Sequence, residues 1–76
     1  MSSEVNTYIG RALRRQRRIL GFTQDRLAQQ LGVTHQLIQK YEAGAVTISA
    51  PKLYQVAKAL GQPVASFFPL DEMVRP

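Results

Sequence analysis

Cysteine is absent from this 76-residue chain, so neither a disulfide framework nor a thiolate zinc site can be built from it. Histidine occurs once, at His35, and a single imidazole does not assemble a metal cluster. No apolar run approaches the ~20 residues that a bilayer-crossing helix needs. The opening MSSEVNTYIG also lacks the basic-then-apolar order of a secretory signal. A soluble cytoplasmic protein is therefore expected, with no membrane partner. Acids are scarce too. Five Asp and Glu stand against ten Lys and Arg, a formal charge of +5 that favours polyanionic partners, although any small basic protein gains solubility from the same excess. There is no carboxylate pair, Cys–His arrangement or phosphate-binding glycine loop, and Asp71 and Glu72 read as a solvated pair in a tail. No catalytic residue, metal ligand or cofactor is expected, and an enzyme is the weakest of the functional classes.

What the chain does contain is organised around Thr23 to Gly44, TQDRLAQQLGVTHQLIQKYEAG. Thr23 is placed to cap a helix starting at Gln24, and Asp25 in its first turn sits well against the positive end of the helix dipole. Leu27, Ala28 and Leu31 make one apolar stripe, with Arg26, Gln29 and Gln30 facing away. Gly32 ends this helix as a residue free to adopt positive φ, and Val33 supplies the apolar contact that seals such an end. Thr34 is the next cap, so a second helix begins at His35. A link this short forces the two axes to cross steeply. Ile38 and Tyr41 point inward from the second helix, Gly44 ends it, and His35, Gln36, Gln39 and Lys40 are left on its outer faces.

The remaining segments read as support. Residues 1–4 are polar and unpatterned, hence a flexible N-terminus. A first helix is expected from Val5 or Asn6 to Leu20, with Ile9, Ala12, Leu13, Ile19 and Leu20 as its apolar side and Gly21 as its stop. Ser49 caps a fourth helix, Ala50 to Leu60, that carries Pro51 in its first turn, where a missing N–H is harmless, and Leu53, Val56, Ala57 and Leu60 on one face. A short fifth helix, Val64 to Phe68, follows Pro63, with Val64 and Phe67 closing the core. Phe68, Pro69 and Leu70 are then more apolar surface than so small a domain hides, which points to an interface. The expected architecture is all-α: five helices over residues 5–70, then a C-terminal tail, 71–76.

With Ala28, Gly32, Val33, Ile38 and Tyr41 at these spacings, the segment resembles the helix-turn-helix of the lambda-repressor-like (Cro/cI, XRE-type) regulators of bacteria and phages. The resemblance extends through IGRALRRQRRILGFTQ, YEAG and SAPKLYQVAKALGQPVASFF, covering roughly residues 8–70. It implies a DNA-binding transcriptional regulator, a repressor or autoregulator, acting in the cytoplasm on the nucleoid. Gln16 departs from the family, which usually has leucine there. The resemblance also assigns Arg17 a mate, Glu42 at the end of the recognition helix, in a forked contact that fixes the angle of that helix. Arg11, Arg14, Arg15 and Arg18 read as a solvated face.

Direct readout needs donors and acceptors on a helix narrow enough for the major groove. Gln36 matches the family's base-reading position and can pair with adenine N6 and N7; His35, Lys40 and Gln39 are the further base-reading candidates. Gln24 matches a phosphate-contacting glutamine at a helix N-terminus. Thr34, Thr47 and Lys52 are the other phosphate candidates. One such helix reads roughly four or five base pairs, so a homodimer on an inverted repeat is expected, joined near Phe68, Pro69 and Leu70. The alternative is a protein-interaction module of the same fold, gripping a toxin or another regulator through Phe67 to Leu70.

Overall fold

Three hydroxyl caps divide the chain into its helices. The Thr23 hydroxyl accepts the Arg26 N–H at 3.0 Å, that of Thr34 the Leu37 N–H at 3.1 Å, and that of Ser49 the Lys52 N–H at 3.2 Å. Each turns an extended residue into a helix start by satisfying a donor that has no partner within the helix. In the computed structural model, which describes residues 2–69, the elements are α1 (Ser2–Ile19), α2 (Gln24–Leu31), α3 (His35–Glu42), α4 (Ala50–Ala59) and a 3-10 helix (Val64–Phe67). The described residues contain no strand.

α2 and α3 are joined by three residues. Gly32 adopts φ 69°, and the Val33 N–H returns to the Ala28 carbonyl at 3.0 Å, so the chain reverses as soon as α2 ends. α3 then lies across α2 and against α1, while α4 packs on α2 and the 3-10 helix closes against α1 and α4. One core results, to which every helix contributes: Leu13 from α1, Leu27 from α2, Ile38 from α3, Val56 from α4, Leu60 just past its end, and Phe67 from the 3-10 helix are its most deeply buried side chains. Val64 packs against this core from below.

α1 differs from its expected form at both ends. It begins at Ser2 because Ser2, Ser3 and Glu4 are all compatible with a first turn, and Glu4 faces the positive end of the dipole there. At the other end Ile19 is 68% and Leu20 47% exposed, where both were expected on the buried side. Six residues at ~100° each turn Ile19 about 120° away from Leu13. Leu20 shares the face of Leu13 but lies past the last helical residue, in the turn leading to Gly21. The fifth element is a single 3-10 turn between Pro63 and Pro69, and Phe68 is already extended, as a residue before proline prefers.

The crossing of α1 over the end of α3 depends on Gly10. A Cβ there would lie 2.4 Å from the Tyr41 carbonyl oxygen and 2.7 Å from that of Glu42. Only a residue without a side chain lets α1 reach the backbone of α3 this closely.

Candidate nucleic-acid interface

The outward face of α3 is set by what its other side buries. Ile38 and Tyr41 enter the core, which leaves Gln36, Gln39 and Lys40 exposed on the opposite side of the same two turns. Leu37 packs against the core, half-buried. Three groups able to donate, two of them amides that also accept, therefore share one convex rod of eight residues. A rod of these dimensions fits a duplex major groove, and amide and ammonium groups match the edges presented there.

α3 is held to the body by a chain of polar side chains. Arg17, on the buried side of α1, donates from Nε to Glu42 Oε2 at 2.5 Å and from a terminal nitrogen to Glu42 Oε1 at 3.1 Å. Its remaining nitrogen donates to the Phe22 carbonyl at 2.7 Å, so the guanidinium also anchors the turn between α1 and α2. Both partners are nearly closed to solvent, with side-chain exposures of 11% and 5%. Gln24 adds a third donor to the carboxylate, Nε2 to Glu42 Oε1 at 2.9 Å. On its other side, Gln24 Oε1 lies 2.9 Å from His35 Nε2, and His35 Nδ1 lies 2.6 Å from Asp25 Oδ1. Residues from α1, α2 and α3 are thus linked end to end, from Arg17 to Asp25.

This chain gives two of the candidate residues a structural part. The oxygen and one N–H of the Gln24 amide are used within the protein, so Gln24 is a strut between α2 and α3 whose second amide N–H is left over for a phosphate. The His35 ring is likewise turned to α2, with both nitrogens in contact there. Sequence spacing gave no sign of either contact, because each joins residues that only the crossing of the helices brings together. The Lys52 ammonium donates to Gln55 Oε1 at 3.0 Å and sits 3.5 Å from the Leu31 carbonyl, beside the negative end of α2. Thr47 accepts from Asn6 Nδ2 at 3.1 Å, and its hydroxyl proton remains available; Thr34 is in the same state, with its oxygen used as a cap.

Arg11, Arg14, Arg15 and Arg18 are all exposed and form one stripe on the side of α1 away from the core. Phe68 is 41% exposed and Pro69 half-buried, while Leu70 lies outside the described residues. No helix of the described residues is long and apolar enough to cross a membrane.

Two short capped helices joined by a glycine turn, the second presented outward by the first, define a helix-turn-helix, and the family model of that description matches residues 13–67. The chain belongs to this helix-turn-helix family, of the Cro/cI, XRE type. Among its relatives, a transcriptional regulator in the ATPase CF(0) region of Rhodospirillum rubrum is 45% identical over 64 residues, covering 84% of this chain and 59% of the relative. An HTH-type transcriptional regulator of Sinorhizobium medicae is 38% identical over 64 residues, covering 84% and 46%. The chain thus spans about half the length of these relatives. Among solved structures, the clp gene regulator ClgR of Corynebacterium glutamicum superposes with a TM-score of 0.80 at 32% identity, covering 83% of this chain and 67% of that one. The restriction-modification controller protein C.AhdI of Aeromonas hydrophila gives 0.78 at 25% identity, covering 83% and 96%.

Proposed function

We propose that this chain is a sequence-specific double-stranded DNA-binding repressor or autoregulator that works in the cytoplasm, on the nucleoid, as a homodimer on an inverted repeat. Residues 5–70 are the DNA-binding unit, with 1–4 and 71–76 as flanking segments. α3 enters the major groove. Gln36 pairs with adenine, Lys40 reaches guanine or a phosphate, and Gln39 contacts the edge of the site. Thr34 and Thr47 donate their hydroxyl protons to phosphates, together with the first-turn N–H groups of α2.

The observation that carries this reading is the outward presentation of Gln36, Gln39 and Lys40 on a helix whose opposite side is locked to α1 and α2. Exposed Phe68 supports a two-fold partner at that end of the molecule, with Pro69 and Leu70 continuing the contact. In such a dimer two reading helices stand ~34 Å apart on one face of the duplex.

Selection of bound sequences from a random duplex pool tests the proposal, and an enriched inverted repeat is the expected result. On the selected site Gln36→Ala costs ~1–3 kcal/mol while affinity for unrelated DNA barely changes. An equal loss on both would remove Gln36 from the base-reading set. A pool that yields no enrichment, with no retarded complex at low salt, would reject the DNA-binding reading in favour of a protein-interaction module.

A further inference from the structure

A neutral imidazole carries one N–H and one lone pair, whereas an imidazolium carries two N–H groups. Both neighbours of the His35 ring are oxygens that accept: Asp25 Oδ1 at 2.6 Å from Nδ1 and Gln24 Oε1 at 2.9 Å from Nε2. The Gln24 amide cannot be reversed to relieve this. Its nitrogen donates to Glu42 Oε1, and a flip would set oxygen against oxygen there. Both contacts of His35 are satisfied together only when the ring is charged.

We propose that His35 is a proton-sensitive positioning residue. Charged, it bridges Asp25 and Gln24 and fixes the first turn of α3 against α2; neutral, it releases one of them, and DNA affinity falls. The proposal rests on the DNA-binding reading above and adds a form of regulation to it.

The charges around the ring agree with this. Asp25 faces it from α2. Glu42, at the far end of α3, reaches it through Gln24, and Arg17 on α1 balances Glu42. Without the ring proton this group holds one uncompensated negative charge, at Asp25, beside the face that meets DNA. With the proton it is balanced. The ring is 40% and the Asp25 side chain 69% exposed, so protons exchange freely and solvent screens the pair. The expected change in affinity is therefore modest, about five-fold.

His35 is the sole histidine, which makes the test direct. In the free full chain, NMR of the ring nitrogens as a function of pH follows the protonation of the ring. The Gln24 side-chain amide resonances are expected to move with the same midpoint. Amide resonances that ignore the titration would overturn the bridge whether or not the chain binds DNA.

Anisotropy with a selected duplex at constant ionic strength is expected to show the five-fold fall for the wild type. Asp25→Ala should be flat, because a neutral ring with its proton on Nε2 then satisfies Gln24 alone, and His35→Gln should be flat as well. A flat wild type, or a dependence that persists in Asp25→Ala, would overturn the proposal. So would a salt slope steeper by about 0.9 at the acid end, which marks a direct ring–phosphate contact. Should no duplex bind at any pH, the DNA-binding reading and the affinity effect fall together, and the amide resonances still decide the bridge.

Discussion

Gly10→Ala sets two effects of opposite sign against each other. Alanine in place of a mid-helix glycine favours the helix by roughly 1 kcal/mol, chiefly by restricting the unfolded chain. Against this, the new methyl would stand 2.4 Å from the Tyr41 carbonyl oxygen and 2.7 Å from that of Glu42. A comfortable carbon–oxygen contact is about 3.3 Å. The α1–α3 separation at this crossing must then grow by close to 1 Å, since both obstacles are backbone and cannot rotate aside. Overpacking of this kind costs ~1–3 kcal/mol, and two rigid carbonyls place it in the upper half of that range. The clash wins, leaving a net loss of about 1–2 kcal/mol, or about 5–15 °C in the melting temperature of a domain this size. Urea unfolding followed by circular dichroism measures the loss as a lower midpoint at unchanged slope. A variant as stable as the wild type, or more so, would show that propensity prevails and that the crossing is looser than the carbonyl distances imply.

Two further predictions concern side chains on α1 and α3. Arg17→Ala strands the almost closed Glu42 carboxylate and is expected to cost ~3–5 kcal/mol by equilibrium unfolding, whereas replacing Arg17 with Met and Glu42 with Leu together recovers most of it. Equal losses in the single and double variants would mean that the two are not coupled. Burial holds the Tyr41 phenol above its ordinary value of about 10, so the folded state favours the protonated ring. Its contribution to stability is fully present below about pH 10 and is lost as pH rises through the raised folded value. Unfolding free energies between about pH 9 and 11 should therefore fall more steeply for the wild type than for Tyr41→Phe; parallel curves would remove Tyr41 as the cause.

The caps could be foreseen from sequence because each is a local event: Thr23, Thr34 and Ser49 each accept an N–H three residues on. So could the inward turn of Ile38 and Tyr41, which follows from helical spacing alone. What sequence could not supply was set by contacts between helices. Gly10 looks like an ordinary weak spot in α1 until the carbonyls of Tyr41 and Glu42 are seen beside it. Lys52 and Gln24 carry the donors that a phosphate ligand needs, and the fold gives each a tertiary partner as well, Gln55 for Lys52 and Glu42 for Gln24, that spacing alone does not announce. Ile19 and Leu20 are apolar in sequence, yet Ile19 is turned away from Leu13 and Leu20 lies past the last helical residue, so both stay exposed.

α2 and α3 are eight residues each. Free helices shorter than ~12–15 residues are marginal in water even with ideal composition, so capping hydroxyls alone do not keep these two folded. Their persistence derives from the floor that α1 and α4 lay beneath them. A synthetic peptide spanning 23–44 would keep every cap and every outward amide of α3 and still collapse into a disordered ensemble. Moving the exposed face of α3 into another protein therefore means transplanting the whole scaffold, since an excised hairpin of two helices carries the letters without the page they are written on.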